Sequence, residues 1–517
     1  MHSELPSARS SDLGFDALLA PDTLLGRVTH WLREEGAEAY LVGGSVRDAL
    51  LGRPADALHD LDFAVPKGGL TLARRLANQL GGAFFPLDAE RDTGRVVLTK
   101  PDGHHFYLDF AQWRGDSLEA DLADRDFTIN AMALDVTREG KASLIDPFGG
   151  QIDLSAGVVR AVTEQSFASD PARTLRAARM EAELGFRIEP HTETLLRQAI
   201  SWLDRVSRER VRDELARIVA APGAAGHVRR LDELGLLAAI LPEVVALKGA
   251  TQSPPHRADV YTHTLQVLEA LEGLFAWLWP DVGYAPLAGE AAKAVDRLTP
   301  WCGPLRGHLS QLTSGDRLRA TLLKLAALLH DAGKSEPHYE GETGRVRFPG
   351  HERKGAAIAA RALRRLRFSS EEANLVRTTV AHHLRPFCLS EAEAVTPQAV
   401  YRFFRDTGAT GVDVILLGLS VQLGTHGQAL NLVEWQRALD VAATLLKGYF
   451  DRHREMISPP KLISGRDLIS KFDLVPGPRV GELLERVREA QAEGLVATHE
   501  EALALVQAIL KGQTCPD

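Results

Sequence analysis

The fold of this chain is decided by two neighbouring stretches, Leu41-Val42-Gly43-Gly44-Ser45-Val46-Arg47-Asp48 and His59-Asp60-Leu61-Asp62-Phe63. The first stretch predicts a strand over 39–43 that ends in a glycine pair and turns into a short helix over 45–51. The second predicts a strand over 60–65 with one polar and one apolar face, because the side chains of a strand alternate between its faces. Around them we predict a small mixed α/β unit that ends near Gly150, with a helix over 69–80 and strands over 83–87, 94–100 and 105–111.

The polar face of the second strand carries Asp60 and Asp62, two carboxylates that point the same way. Two converging carboxylates repel each other unless a cation lies between them, and a hard, oxygen-seeking ion such as Mg²⁺ suits them. Asp109 lies on the strand predicted over 105–111 and joins the pair if the two strands are neighbours. Three carboxylates suit two Mg²⁺ ions, which activate a hydroxyl and neutralise a triphosphate.

A lone Asp-x-Asp pattern usually only caps or turns a loop. Here it follows the glycine pair Gly43-Gly44, whose backbone lets a phosphate approach closely. The glycine pair and Asp109 together favour a metal-dependent phosphoryl-transfer site over a plain turn.

Length and composition describe an ordinary globular protein of several domains. The chain has 517 residues, 45% hydrophobic and 25% charged, which predicts about three or four domains. We see no apolar run of the roughly 20 residues that a membrane span needs and no signal peptide, so no membrane partner is expected. Cys302, Cys388 and Cys515 are scattered, which favours a reducing, cytoplasmic setting. A net charge of -9 argues against a protein that simply coats nucleic acid.

Strand patterns nearly vanish after Gln151, and helical spacing takes over. We expect a loose leader over 1–22, a head over 23–150, a helical neck over 151–248, a second helical unit over 249–395 and a helical C-terminal region over 396–517. Residues 278–316 are rich in Gly and Pro and are expected to form a long loop or insertion in the second helical unit.

Five motifs occur in order along the first half of the chain. They are GGxVRD at 43–48, DxD at 60–62, RDFTINAMA at 125–133, IDPFGG at 145–150 and DPxRxxR at 170–176. Over residues 38–245 this series resembles the class II tRNA nucleotidyltransferase and poly(A) polymerase family. The resemblance implies an α+β fold: a small mixed-sheet, polymerase-beta-like nucleotidyltransferase head, followed by an all-α neck, an HD-type helical domain and a helical C-terminal region.

The resemblance also implies roles for individual residues. Asp60 and Asp62 would hold Mg²⁺, and Asp109 would complete the catalytic set. The implied nucleotide-binding residues are Gly43, Gly44, Ser45, Arg47, Arg125, Asp126, Asn130, Asp170, Arg173 and Arg176. Two positions depart from the family pattern: Asp124 stands where an Arg is common, and Ser169 stands where a Glu is usual. We consider Ser169 as an alternative N-cap for the helix expected over 170–184.

The pair Asp170 and Arg173 has a chemical rationale as a base filter. Cytosine and adenine present an amino donor beside a ring-nitrogen acceptor, whereas uracil and guanine present the opposite order. A carboxylate that accepts from the amino group and a guanidinium that donates to the ring nitrogen would therefore select C and A. An ordinary ion pair on a helix surface is the competing interpretation.

A second constellation comprises His263, His330, Asp331, His351 and His383, and it resembles the HD phosphohydrolase superfamily over about 256–430. Imidazole and carboxylate groups suit a second divalent metal. The final Asp of that superfamily aligns near Val421, which cannot ligate, although Asp413 lies nearby in the sequence. An active phosphohydrolase, an inert or RNA-binding metal domain and a metal-free scaffold therefore all stay open.

We expect an enzyme that adds C and/or A nucleotides from CTP and ATP to the 3′ end of tRNA without a template, with release of pyrophosphate. Region 396–517, which carries aromatic and cationic residues, would grip the tRNA through phosphate contacts and shape. Three alternatives remain: a poly(A) polymerase acting on other RNA ends, an HD phosphohydrolase with a vestigial head, and a catalytically idle RNA-binding protein.

Overall fold

The computed structural model describes residues 15–55, 58–99, 105–138, 142–335, 338–340 and 345–512. The first 14 residues of the expected leader and Cys515 lie outside the described residues. The chain divides into two compact units, one ending at Val206 and the other beginning at Ser207. This division falls inside the segment expected as the neck. Each unit is described by itself.

The first unit is a seven-stranded mixed sheet with short helices. Its helices are α1 Phe15–Leu18, α2 Leu24–Glu34, α3 Gly44–Leu50, α4 Gly69–Leu80, α5 Leu118–Ala123, α6 Gly150–Ala156, α7 Ser166–Ser169, α8 Arg173–Leu184 and α9 Pro190–Ala199. Its strands are β1 Tyr40–Val42, β2 Asp60–Val65, β3 Ala83–Asp88, β4 Thr93–Thr99, β5 His105–Gln112, β6 Ala133–Asp135, β7 Ser143–Ile145, β8 Val158–Val159 and β9 Arg187–Ile188.

The main sheet has the strand order β3-β4-β5-β2-β1-β6-β7. Only β2 and β5 are parallel among its neighbouring described strands. Helix α4 covers one face, where Phe63 and Phe110 stack with ring centroids 4.7 Å apart. Gly94 lets α4 approach closely, because a Cβ at that position would lie 2.8 Å from the Ala73 Cβ. The α4 face is thus closed, and the opposite face carries the polar side chains.

The predicted elements of this unit are confirmed apart from their ends, and the leader is corrected in part. Residues 15–18 are not loose, because α1 buries Phe15 and Leu18 at 5% and 6% exposure. Ser169 is not an N-cap: it ends α7, and α8 begins at Arg173 with no side-chain cap. The Ser169 hydroxyl instead donates to the Ser166 carbonyl at 3.1 Å.

The second unit is helical. Its helices are α10 Arg208–Ala220, α11 Ala224–Leu234, α12 Leu236–Ile240, α13 Pro242–Val245, α14 Val260–Leu278, α15 Gly289–Val295, α16 Cys302–Leu309, α17 Arg319–Leu329, α18 His351–Arg365, α19 Ser370–His382, α20 Arg385–Ser390, α21 Pro397–Thr407, α22 Gly411–His426, α23 Leu432–Leu446, α24 Gly465–Phe472, α25 Pro478–Ala492 and α26 His499–Leu510. A small hairpin, β10 His338–Glu340 and β11 Arg345–Arg347, completes it.

The expected loop over 278–316 is corrected, because it holds the helices α15 and α16. Val295, Leu305 and Leu309 are fully buried there, so the segment contributes to the core. Its glycines and prolines separate short helices, and short helices leave little periodic signal in a sequence.

One helical stretch among the described residues, 397–426, is long and apolar enough to cross a membrane by length and composition alone. Of its most apolar window, 61% is buried inside the protein, as in a core helix. Length and composition are therefore weak evidence for a membrane span here.

A buried ion pair lies where α10 ends and α11 begins. The Lys324 ammonium donates to Glu272 Oε1 at 2.7 Å and to the carbonyls of Ala220 and Ala221 at 3.0 and 3.2 Å. Glu272 in turn accepts from the backbone N–H groups of Gly223 and Ala224. Two residues of α17 and α14 thus satisfy the end of one helix and the start of the next.

Candidate active site and metal centre

The three predicted carboxylates lie on one face of the main sheet. Strands β2 and β5 pair in parallel with Asp62 opposite Asp109, and Asp60 lies two residues before Asp62 on the same face. The same row continues to the sheet edge, because β4 places Arg95 opposite Asp109 and β3 places Phe85 opposite Arg95. The condition under which Asp109 joins Asp60 and Asp62, that β5 neighbours β2, is therefore met.

Arg95 grips the third carboxylate. Its Nε and Nη2 atoms each donate to one oxygen of Asp109 at 2.7 Å, and its guanidinium lies 5.0 Å from the centroid of the Tyr107 ring. In this arrangement Asp109 is paired with a cation from the protein. The carboxylates of Asp60, Asp62 and Asp109 are not among the tight three-residue ligand groups of the described residues.

The negative charge of Asp62 is only partly compensated by the protein. Burial, with smaller contributions from Asp109 and Asp60, raises the pKa of Asp62 from 3.8 to about 6, although Arg125 and Arg95 act in the opposite direction. A divalent cation beside Asp60 and Asp62 would relieve this penalty, since it favours the ionised form. The carboxylates therefore fit a hard cation.

Gly43 brings the glycine pair against these carboxylates. Its φ of 76° lies in the left-handed region, and a Cβ there would come within 2.9 Å of Arg125 Nη1 and 3.7 Å of Asp62 Oδ2. Ser45, at the start of α3, donates its hydroxyl to the carbonyl of Asp60 at 2.6 Å. The glycine turn, Arg125 and the Asp60–Asp62 strand are thus held together, and the space beside Gly43 must stay open.

Arg125 is oriented by Asp121, a residue that was not predicted to belong to the site. Asp121 Oδ2 accepts from Arg125 Nε and Nη2 at 3.3 and 3.1 Å, and Asp121 Oδ1 accepts from the Arg114 backbone N–H. The i,i+4 spacing of Asp121 and Arg125 is the only signal in the sequence that could have found it.

Asp126 and Arg47 form a buried polar network behind the glycine turn. Asp126 accepts from Asn130 Nδ2 at 3.0 Å and Arg176 Nη1 at 3.1 Å, and Arg47 Nη1 donates to Asn130 Oδ1 at 2.7 Å. Burial alone would raise the pKa of Asp126, but Arg176 and these hydrogen bonds outweigh it and lower the pKa. Arg47 also pairs with Asp48 at 2.8 Å.

The Arg173 side chain is buried and bonded to the protein itself. It is 6% exposed, and its Nη2 atom donates to the carbonyl of Asp124 at 2.5 Å. Its Nη1 atom donates to the carbonyls of Arg125 and Ser166 and to Ser169 Oγ. Only Nε is buried without a hydrogen-bond partner. Asp170, three residues earlier, accepts from the Ala172 N–H at 3.2 Å.

The HD-like residues converge in the second unit. Among the described residues, His263, His330 and Asp331 form one group and Asp331, His351 and His383 form another, each with ligand atoms within 4.8 Å of one another. Asp331 is common to both. The structure thus brings together all five residues predicted for this centre.

The imidazoles of this centre are oriented for a metal. The Nδ1 atoms of His330, His351 and His383 lie 2.7–2.9 Å from backbone carbonyls, which can only accept, so Nδ1 carries the proton and Nε2 keeps a lone pair. The Nε2 atoms of His263, His330 and His351 are buried without a hydrogen-bond partner. Buried ring nitrogens that carry a lone pair and have no hydrogen-bond partner fit a metal ion.

Charge at this centre is low. Burial lowers the pKa of His263 well below its usual range and that of His383 to about 3, so both imidazoles are neutral at pH 7. Burial alone would raise the pKa of Asp331, but His330 and Lys334 outweigh it and hold that pKa well below its usual range. The Lys334 ammonium lies 2.8 Å from Asp331 Oδ2.

Asp413 does not belong to this centre. It is fully buried, accepts from Arg319 Nη2 at 2.6 Å and lies 3.1 Å from His308 Nε2. It is the only acidic residue of α22, the helix that carries Val421. The expected final acidic ligand is therefore missing from that helix.

A mixed sheet with an Asp-x-Asp pair, a third carboxylate on the parallel neighbour strand and a glycine turn beside Arg125 defines a metal-dependent nucleotidyltransferase head. Four family models match the chain in order. They are the poly A polymerase head domain over 39–160, the probable RNA and SrmB-binding site of polymerase A over 185–247, the HD domain over 260–401 and the putative tRNA nucleotidyltransferase domain 2 over 355–506.

Relatives that match nearly the whole chain are tRNA nucleotidyltransferases. The A-adding tRNA nucleotidyltransferase of Deinococcus radiodurans is 34% identical over 91% of this chain and 95% of its own. The CC-adding tRNA nucleotidyltransferase of Geobacter sulfurreducens is 34% identical over 91% of each chain. A solved CCA-adding enzyme in complex with ATP shares the fold, with 23% identity, a TM-score of 0.62 and coverage of 97% of this chain and 99% of its own. The chain belongs to the tRNA nucleotidyltransferase family and is an enzyme, which confirms the fold class and the resemblance.

Proposed function

We propose that this enzyme adds C, A or both from CTP and ATP to the 3′ end of tRNA, without a template and with release of pyrophosphate. The observation that carries the proposal is the row Asp60, Asp62 and Asp109 on one sheet face, with Gly43 and Arg125 beside it. The names of the relatives, one A-adding and one CC-adding, support both nucleotides as substrates. The free thiols of Cys302 and Cys388 agree with a cytoplasmic setting.

In the proposed reaction Asp60 and Asp62 would hold Mg²⁺, which would supply positive charge to acidify the 3′ hydroxyl and neutralise the triphosphate. The 3′ oxygen attacks the α-phosphorus, the bond to the β-phosphate oxygen breaks, and pyrophosphate leaves. Gly43 and Gly44 let the triphosphate approach the backbone, and Arg125, held by Asp121, faces it.

Asp109 takes part only once its bidentate contact with Arg95 loosens. Arg95 lies in the same row, so its guanidinium can then contact the RNA or the leaving phosphates while Asp109 turns towards Asp62. The ion pair thus keeps the third carboxylate neutralised and in place between turnovers.

Base selection is assigned to Asp170 and Arg173. The four donated bonds of Arg173 to Asp124, Arg125, Ser166 and Ser169 fix its guanidinium, and the unpartnered Nε is left as the donor for a base. A fixed donor discriminates better than a mobile one, because a base of the wrong polarity leaves a buried group unpaired.

The test uses tRNA transcripts that end at the discriminator base, at the first C or at the second C. Each is incubated with Mg²⁺ and with CTP, ATP, UTP or GTP alone, and with CTP and ATP together. We expect extension with CTP, ATP or both and none with UTP or GTP. Failure on all three transcripts, or equal use of the four nucleotides, would refute the proposal.

A matched pair of variants then checks the base filter. Arg173→Lys keeps the charge but loses the fixed fork, so misincorporation of UTP relative to CTP should rise by about 10²-fold. Arg197→Lys is the control, because Arg197 is an exposed residue of α9 that pairs with Glu193. Unchanged discrimination in Arg173→Lys would remove this residue from base selection.

A second function is favoured by the buried histidine nitrogens of the second unit that have no hydrogen-bond partner. We propose that His263, His330, Asp331, His351 and His383 bind a divalent metal ion. Such an ion would supply an activated water for phosphoester hydrolysis. Metal analysis of the gently purified protein, followed by hydrolysis assays with phosphomonoesters and cyclic phosphodiesters, tests the site and its activity separately. A metal-free protein that also fails to take up added metal would refute it.

A further inference from the structure

The proposed metal centre of the second unit has few oxygen ligands. Asp331 is the single carboxylate in both three-residue groups, and Lys334 lies 2.8 Å from it. The only acidic residue of α22, Asp413, is held by Arg319 and lies against His308. A cation bound here would therefore lack the second carboxylate that a hard ion prefers.

One imidazole outside the predicted set lies beside this centre. His256 follows the turn 249–255, and its ring stacks edge-on against His263 with centroids 4.7 Å apart. Its Nδ1 atom is buried without a hydrogen-bond partner, like the Nε2 atom of His263 itself. Two adjacent imidazoles therefore present buried nitrogens that nothing in the described protein satisfies.

The turn that carries His256 is fastened to the centre. Gln252 Oε1 accepts from the Lys334 ammonium at 2.9 Å, and Ser253 Oγ accepts from the Val346 N–H at 2.8 Å. The first contact holds the segment before His256 against Lys334, the residue that pairs with Asp331, and the second ties it to β11. Burying a ring nitrogen without a hydrogen-bond partner costs free energy. The buried Nδ1 atom of His256, in a segment that these contacts fix, therefore indicates a bound ligand.

We infer that His256 is a further ligand of the metal bound by His263, His330 and Asp331, in place of the missing carboxylate. With His351 and His383, the donors are then five imidazoles and one carboxylate, a nitrogen-rich set that suits Zn²⁺ or Co²⁺ and disfavours Mg²⁺. The two units of the chain would thus select different metals, oxygen-bound in the head and nitrogen-bound in the second unit. This inference rests on the proposal that the second unit binds metal.

The test is metal binding by the full-length protein, stripped with chelator and kept in millimolar Mg²⁺ to occupy the head. Co²⁺ is titrated while its visible absorption is followed, and Zn²⁺ is then added as a competitor. Wild type should bind Co²⁺ and show the visible absorption of the bound ion, and His330→Ala should lose both. His256→Ala should weaken Co²⁺ binding by at least about tenfold and change the spectrum, whereas His256→Asp should retain binding.

His499→Ala, an exposed imidazole of α26, is the matched control and should bind as wild type does. Far-UV circular dichroism and thermal unfolding of the metal-free proteins check folding, and His256→Gln replaces the alanine variant if that one unfolds. His256→Ala with wild-type affinity and spectrum, or with weaker binding but an unchanged spectrum, overturns the ligand role. A wild type that binds no Co²⁺ overturns the metal proposal itself.

Discussion

Acidification should weaken Mg²⁺ binding by the head, because it protonates Asp62. The pKa of this carboxyl is raised from 3.8 to about 6, chiefly by burial. Protons and metal compete for the ionised carboxylate. Asp62 is therefore mostly ionised and able to bind metal above pH 6, and mostly protonated below it. The half-saturating Mg²⁺ concentration scales with 1 + 10^(6−pH), which is about 1 at pH 7.5, about 2 at pH 6 and about 11 at pH 5. An Asp with the ordinary pKa would give a change of under about 10% over the same range.

The assay is single-turnover incorporation of labelled nucleotide over a series of Mg²⁺ concentrations at each pH. The half-saturation concentration is compared, because the rate itself also falls with pH as the 3′ hydroxyl becomes harder to deprotonate. Arg125→Gln should move the transition to higher pH, since Arg125 is the strongest influence that lowers the pKa of Asp62. A half-saturation concentration that changes less than about twofold between pH 7.5 and 5 would refute the shifted Asp62 as the metal ligand.

Three further predictions follow from described contacts. Asp60→Asn should lower single-turnover incorporation by at least about 10³-fold while tRNA binding persists in a filter assay; incorporation within tenfold of wild type would exclude Asp60 as a metal ligand. Phe85→Ala should raise KM for tRNA about fivefold to thirtyfold and leave KM for the nucleotide unchanged, because an exposed aromatic side chain at the end of the catalytic row can stack on an RNA base. The control is Ile152→Ala, at another exposed hydrophobic residue. An equal rise in KM for tRNA in both variants would argue against a stacking role. Lys324→Met should lower the free energy of unfolding of the second unit in urea by about 3–5 kcal/mol, because it leaves the buried Glu272 carboxylate without its cation. Adding Glu272→Gln should recover part of that loss. A loss below about 1 kcal/mol would contradict the pairing.

Local sequence patterns correctly predicted the strand with the two carboxylates and the glycine turn of the head. Strand alternation put Asp60 and Asp62 on one face, and the glycine pair marked the turn before α3. The position of Asp109 beside Asp62 was a conditional prediction, because alternation shows which face a residue takes but not which strand lies next to it. The parallel pairing of β2 and β5 settled it.

The rest depends on contacts between residues far apart in sequence. The guanidinium of Arg173 is held by the carbonyl of Asp124, 49 positions away, which no periodic pattern encodes. Asp413 was a possible ligand by proximity in sequence, yet the structure commits it to Arg319, 94 positions away. No motif spacing in the sequence points to His256. We inferred its role as a metal ligand only from its burial beside His263.

The caps between α10 and α11 have a consequence for how the protein can be divided. The last carbonyls of one helix and the first N–H groups of the next are satisfied by Lys324 and Glu272, which lie beyond residue 248, where composition suggests a domain boundary. A truncation at 248 would leave these backbone groups without their donors and acceptors. The segment 207–248 is thus inseparable in folding from the helices that follow it, and any modular exchange of parts should cut the chain near Val206 instead.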